Sequence, residues 1–333
     1  MTERRSSTKT KLGATGPEVF PLALGCMGMS GMYGRTSDDE SVATIQAAID
    51  RGVTLIDTGD FYGMGHNELL VGRAIAGGRR DKVQLSVKFG ALRGPDGSWS
   101  GVDARPVAVK NFVAYSLKRL GVDVIDVYRP ARLDPRVPIE ETIGAIADLV
   151  RQGYVRHVGL SEVGVETIRR AQAVHPIVDL QIEYSLVSRE PEREIFPALA
   201  ELGIGATLYG VLSRGLLSGS KPTGSSDFRS YLPRFAADNR ANNESVVSRL
   251  GAFAEARGQT PAELAIAWAL AKQPTFVPVV GARTRAQLDG LFRALDKPLS
   301  GGELEELERL FPRGAIAGTR YDAAQMAHLD SER

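Results

Sequence analysis

Cysteine is nearly absent from this chain of 333 residues: Cys26 is the only one. No disulfide framework can form within one chain, and no cysteine-based metal cluster is possible. That scarcity favours a reducing compartment, the cytoplasm. A surplus of charge of one sign is missing too. Lys and Arg total 41 against 40 Asp and Glu, so there is no basic field to attract nucleic acid or an anionic membrane. Long apolar runs are lacking, which leaves no signal-peptide core and no membrane span. The polar opening segment Met1–Thr10 reads as a frayed terminus. The Gly-x-Gly-x-x-Gly fingerprint is also missing, since Gly63-Met64-Gly65 continues as His66-Asn67-Glu68. That argues against a doubly wound dinucleotide site.

What the chain does contain is ordinary globular material, 43% hydrophobic and 24% charged, long enough to bury a large core. Short apolar runs alternate with amphipathic segments along nearly all of it. After a hairpin around Gly13–Gly16, strands are predicted at 21–25, 53–57, 83–88, 124–128, 155–160, 178–182, 204–208 and 276–280. Helices are predicted at 38–51, 67–76, 106–120, 139–152, 165–174, 192–202, 261–271 and 285–295. Ser37 followed by Glu40 reads as a capping box, and Gly52, Gly121, Gly153 and Gly203 read as stops. About eight strand–helix units without a composition break imply a parallel sheet. In this length they imply a closed (β/α)₈ barrel forming one domain over residues 1–333, with a core of about 11–311. The segment from Tyr209 to about Asn243, including Lys221-Pro222-Thr223-Gly224-Ser225-Ser226, reads as a long loop of functional character. The tail 313–333 either packs loosely or closes over the barrel mouth.

Polar residues stand where barrel enzymes keep their chemistry, at the C-terminal ends of strands. Asp57 ends Val53-Thr54-Leu55-Ile56-Asp57, Tyr62 follows in Thr58-Gly59-Asp60-Phe61-Tyr62-Gly63, and Lys88 ends Val83-Gln84-Leu85-Ser86-Val87-Lys88. A further run, Val124-Ile125-Asp126-Val127-Tyr128, leads into Arg129-Pro130-Ala131-Arg132-Leu133-Asp134-Pro135. An ammonium near a phenol favours the phenolate, so Lys88 held by Asp57 is expected to lower the proton affinity of Tyr62. Asp60 reads as a loop cap and His66 as part of a helix start.

With these motifs the chain resembles the aldo-keto reductase family, whose catalytic tetrad is Asp, Tyr, Lys and His. The resemblance runs from about Lys11 to Phe311. It implies Asp57, Tyr62 and Lys88 as catalytic residues, and an NADPH-dependent reduction of an aldehyde or ketone, or its reverse. It also implies a cofactor laid extended across the barrel mouth. Met27 would contact it; Ser161, Glu162 and Gln181 would hold the carboxamide, and Tyr209 would stack on the ring. Ser213, Arg214, Gly215 and Leu216 would wrap the pyrophosphate, while Gly281, Arg283 and Gln287 would grip the adenosine ribose. Arg283 can clamp a 2′-phosphate, because guanidinium matches phosphate geometry.

The tetrad His position falls on Ala131. An alanine offers no donor to the substrate oxygen. Tyr62 alone could suffice, water or another side chain could fill the gap, or a bulky substrate could occupy it. Arg129, two residues away on the same strand face, is a candidate substitute. Tyr33, Phe61, Trp99, Arg129 and Ala131 are the expected substrate-pocket residues, which favours an apolar or aromatic carbonyl compound. Partners are expected to be small molecules, with no nucleic acid and no membrane. Potassium-channel β-subunits resemble this family and also depart from His, so an NADPH-binding regulatory or redox-sensor protein with weak turnover is the alternative.

Overall fold

The protein is described here by a computed structural model covering residues 9–34, 36–222, 224 and 227–333. Of the segment Met1–Thr10 read as a frayed terminus, Met1–Thr8 lie outside the described residues, as do Thr223, Ser225 and Ser226 of the long loop, while Thr10 is not frayed but pairs with Val19. An antiparallel hairpin of β1 (Thr10–Lys11) and β2 (Glu18–Val19) opens the fold. Eight parallel strands then close a barrel. They are β3 (Ala23–Gly25), β4 (Leu55–Gly59), β5 (Gln84–Phe89) and, after a hairpin of β6 (Ala91–Arg93) and β7 (Trp99–Val102), β8 (Ile125–Pro130), β9 (Val155–Ser161), β10 (Ile177–Glu183), β11 (Gly205–Tyr209) and β12 (Val277–Gly281). Val279, Val280 and Gly281 pair with Ala23, Leu24 and Gly25, which closes the ring.

Around it run α1 (Asp38–Asp50), α2 (His66–Ile75), α3 (Pro106–Leu120), α4 (Ile139–Arg151), α5 (Val165–Val174), α6 (Ile195–Leu202), α7 (Ala237–Ala256), α8 (Pro261–Lys272) and α9 (Arg285–Asp296). Then come α10 (Gly301–Leu310) and the short α11 (Ala323–Met326). Among the described residues no helix is long and apolar enough to cross a membrane.

Every predicted strand is present within one or two residues of its expected limits. Three helices are additional: α7, α10 and the short α11. The first turns of α7, Ala237-Asp238-Asn239-Arg240, carry no apolar stripe, and its buried face is narrow: Asn243, Val246, Leu250 and Ala254. That is why it reads as loop in the sequence. Helix α10 is opened by a capping box in which Ser300 and Glu303 exchange side-chain and backbone hydrogen bonds, a signal visible in the sequence. The box expected at α1 is only half formed. Ser37 Oγ accepts from Glu40 N, but the Glu40 carboxylate is taken by the backbone and guanidinium of Arg285 on α9.

Strand alternation sorts the barrel interior into layers. Leu55, Val127, Val178 and Val277 fill the bottom with Leu12 and Val19 of the hairpin, which plugs that end. Above them lies a polar layer of Ser86, Arg129, Asp179 and Thr207, all buried. Gly159 makes room for it, since a Cβ there would stand 3.0 Å from Arg129 Cζ and 2.9 Å from Asp179 Oδ1.

Helix packing is just as tight. A Cβ on Gly72 of α2 would lie 2.7 Å from the carbonyl oxygen of Leu120 at the end of α3. Helix propensity alone favours alanine over glycine by about 1 kcal/mol. The backbone clash should win, so Gly72→Ala is expected to destabilise the protein by about 1–3 kcal/mol in denaturant unfolding; a stabilised variant would contradict this packing.

Candidate active site

The open end of the barrel is built around an ion pair. Lys88 Nζ on β5 lies 2.5 Å from Asp57 Oδ1 on β4, and both side chains are almost fully buried. The other carboxylate oxygen of Asp57 accepts from Ser86 Oγ and from Gln181 Nε2, each at 2.8 Å. The Asp57 carboxylate is thus held on both oxygens, and it in turn fixes the ammonium. Burial lowers the proton affinity of Lys88 while Asp57 opposes the shift.

Tyr62 enters from the turn after β4. That turn is tight. Gly63 and Met64 are both left-handed, with φ of 56° and 52°, and a Cβ on Gly63 would meet Ser30 Cβ at 2.9 Å. The phenol ring packs edge-on against Phe61, with centroids 4.7 Å apart, and Lys88 Nζ stands 5.1 Å from its centre. Burial first, then the negative charge of Asp57, push the Tyr62 phenol well above the ordinary value of 10.0. This reverses the expectation from sequence. With Asp57 against Lys88 the ammonium is largely neutralised, and desolvation of the phenolate prevails. The phenol is thereby kept protonated.

A cavity of about 350 Å³ extends from this pair across the barrel mouth. The structure brings to its wall Asp57, Tyr62, Lys88, Met27, Ser161, Gln181, Tyr209, Arg214, Gly215, Gly281, Arg283 and Gln287, together with Tyr33, Phe61 and Trp99. Five expected residues lie elsewhere. Arg129 is wholly buried in the barrel's polar layer. Its Nη1 donates to Asp179 Oδ2 at 2.9 Å and to Leu160 O at 3.2 Å, and its Nη2 to Ser86 Oγ at 3.1 Å. It cannot reach a substrate, but through Ser86 it braces Asp57. Ala131 is buried, with its amide bonded to Phe89 O at 2.8 Å. Ser213 Oγ accepts from Arg234 at 3.0 Å, and Leu216 packs into the core.

Glu162 is the fifth. It is buried in a left-handed conformation, φ 54°, and turned to Arg320, whose two terminal nitrogens reach its carboxylate at 2.8 and 2.6 Å. Asp60 and His66 behave as loop and helix-start residues. Asp60 Oδ2 accepts from Gly90 N at 3.3 Å, and the His66 ring bonds Ser30 and Asp38.

Comparison with known proteins places this geometry. The profile of the Aldo/keto reductase family matches residues 21–311. The chain belongs to the aldo-keto reductase family. A curated relative, "Probable aldo-keto reductase 1" of Glycine max, is 42% identical over 319 residues, 93% of this chain and 91% of that one. Among solved structures, the glycerol dehydrogenase of Gluconobacter oxydans is 27% identical with a TM-score of 0.81, over 95% of this chain and 99% of its own. The holo form of an aldo-keto reductase from Bacillus halodurans is 27% identical with a TM-score of 0.76, over 91% and 96%. Family and fold make this an oxidoreductase of carbonyl or alcohol groups that works with a nicotinamide cofactor.

In this aldo-keto reductase the tail closes over the mouth of the barrel, one of its two expected roles. Tyr321 stands in the cavity wall, its hydroxyl 3.2 Å from that of Tyr209, and the Arg214 guanidinium lies 4.3 Å from its ring centre. Gln325, His328 and Leu329 complete that wall. Arg93, Arg132, Phe228 and Arg229 also line the cavity. The tail residues carry no motif. A cue did exist for Arg132, which directly follows Ala131.

Arg320 anchors the tail. Burial raises the Glu162 carboxyl, but Arg320, with Arg132 and Ser331, outweighs burial and holds it far below its ordinary 4.5. Removing one partner of a buried pair strands a charge and costs about 3–5 kcal/mol. Arg320→Ala should therefore lose about 3 kcal/mol or more at pH 7. Because the folded-state value is depressed, the pair's stabilisation is present above the ordinary carboxylate range and fades as pH falls. Unfolding curves of wild type and variant should converge on acidification below about pH 4.5; a gap independent of pH would assign Arg320 to packing alone.

Proposed function

We propose that this protein reduces an aldehyde or ketone to an alcohol with NADPH, Tyr62 giving the proton. The observation that carries the reading is a buried phenol, kept protonated, beside a buried Lys88–Asp57 pair. Bound across the mouth, NADPH would supply the hydride. Ser161 and Gln181 would hold its carboxamide and Tyr209 its ring face. Arg214 and Gly215 would meet the pyrophosphate. Arg283 fits the 2′-phosphate: among the described residues it has no carboxylate within 4.0 Å, and its Nη1 is steadied by Tyr33 O at 2.7 Å. It also stands just before α9, whose first-turn amides favour an anion.

The residues divide the work as follows. Tyr62 donates a hydrogen bond to the carbonyl oxygen and transfers its proton as charge builds there. Lys88 stabilises the phenolate left behind, and Asp57 keeps the ammonium in place. Water then restores the proton.

The test is NADPH consumption, followed by absorbance, across aldehydes, ketones and quinones. Tyr62→Phe is expected to lower kcat by about 10² or more while NADPH still binds; a variant as fast as wild type would remove Tyr62 from the mechanism. Arg283→Ala should cut the preference for NADPH over NADH by about tenfold or more. An unchanged preference would place the 2′-phosphate elsewhere.

A further inference from the structure

Arginines in this protein are paired where they hold the fold. Arg129 faces Asp179, Arg214 and Arg234 face Glu183, and Arg320 faces Glu162. Two guanidinium groups in the substrate half of the cavity break the pattern. Arg132 donates from Nη1 to Ala131 O at 2.6 Å and from Nη2 to the Tyr321 hydroxyl at 3.2 Å. Arg93, on the β6–β7 hairpin, donates to Gly97 O at 3.3 Å and lies 6.0 and 5.9 Å from the ring centres of Phe61 and Trp99. Among the described residues neither has a carboxylate within 4.0 Å, and the one carboxylate in the cavity wall, Asp57, is held by Lys88.

Both groups are electrostatically coupled to the proton donor. Burial lowers the proton affinity of Arg93 and Tyr62 opposes that shift, while burial raises the Tyr62 phenol and Arg132 opposes that one. Both guanidiniums stand against aromatic rings with no carboxylate in contact, Arg132 feeling Glu162 only at longer range, and a charge so placed is poorly compensated. The arrangement becomes favourable when a ligand brings the anion. A guanidinium fork matches a carboxylate in geometry as well as charge. Only two of the five N–H donors of Arg132 are used by the bonds above. Arg93 is partly satisfied by ring faces, which leaves Arg132, steadied by Tyr321, as the stronger anchor.

We propose that the substrate is a carbonyl compound bearing a carboxylate, and that Arg132, oriented by Tyr321 and assisted by Arg93, receives the carboxylate while the carbonyl meets Tyr62. The inference rests on the reductase reading above and names its substrate class. In the step, the carbonyl carbon gains a hydride from NADPH and its oxygen a proton from Tyr62; the carboxylate is unchanged. It also accounts for Ala131. Binding energy from a remote charged group can orient a reacting carbonyl, which offsets the loss of a second donor at the oxygen.

The experiment compares 4-carboxybenzaldehyde with methyl 4-formylbenzoate, near-isosteric aldehydes that differ in one charge. Wild type should favour the acid in kcat/KM by about tenfold or more, and Arg132→Met should reduce that ratio by about 10- to 100-fold. Arg93→Met should reduce it by less. A ratio near one in wild type, or one unmoved by Arg132→Met, overturns the proposal. A second readout needs no turnover: binding of benzoate against benzamide to the protein with NADP⁺, by quenching of intrinsic fluorescence. Benzoate should bind more tightly, and Arg132→Met or, if that variant does not fold, Arg93→Met should erode the preference. No preference in wild type overturns the subsite. Benzoate selectivity without reduction of any carbonyl would support the subsite and refute the reductase reading.

Discussion

Lys88 is 4% exposed at the end of β5, and an ammonium in that position survives only because Asp57 stands 2.5 Å away. Burying one charge is prohibitive, and burying two requires good geometry with every remaining lone pair satisfied. The barrel supplies that geometry from four strands. Ser86 and Gln181 bond the far oxygen of Asp57. Ser86 accepts from Arg129, and Arg129 is neutralised by Asp179. Thr207 donates to Asp179 at 2.6 Å. The site is therefore the top rung of a polar column through the barrel, resting on an apolar floor sealed by the β1–β2 hairpin. Residues deep in the barrel thus hold the Lys88–Asp57 pair in register.

A second set of charges ties the tail to the strand ends. Glu162 and Glu183 are buried acids at the ends of β9 and β10, and Arg214, Arg234 and Arg320 come to them from three separate segments. Arg320 alone bridges Glu162, Glu183 and Glu332. This network lies behind Tyr209 and Tyr321, so the wall of the cavity is fixed from the rear. The contrast with Arg93, Arg132 and Arg283 is a division of labour among residues of one type. Paired guanidiniums build the wall, Arg214 among them facing the cavity as well, whereas Arg93, Arg132 and Arg283 reach the same space with no carboxylate within 4.0 Å among the described residues.

The barrel was legible in the sequence because its signal is periodic: eight apolar runs, glycine stops and a regular strand–helix rhythm. Asp57, Tyr62 and Lys88 were legible because strand ends in such a barrel converge on one mouth. What escaped notice depends on three-dimensional competition. Arg129 shares a strand face with Ala131, but strand alternation gives depth only in relative terms, and both side chains lie buried behind the cavity wall. Glu162 sits at a family motif position, yet Arg320, 158 residues later, claims its carboxylate. The direction of the Tyr62 shift could not be read from motif spacing, because it turns first on how deeply the phenol is buried and then on the charge of Asp57. Helix α7 hides behind a polar first half. Tyr321 and Arg320 belong to no motif, and their importance comes wholly from where the tail lies.

Cys26 ends at the same rung as the ion pair. Its amide bonds Asp57 O at 2.9 Å and its carbonyl accepts from Asn67 at 2.8 Å. Its side chain has no exposure, and burial and then Asp57 raise the thiol far above its ordinary 9.0. Only the thiolate is an effective nucleophile, so the native thiol is doubly protected, by access and by protonation. Alkylation of this single thiol is thereby limited to moments when the top of the barrel opens. The chain carries its own clock for breathing at the catalytic rung, readable by mass without any engineered probe.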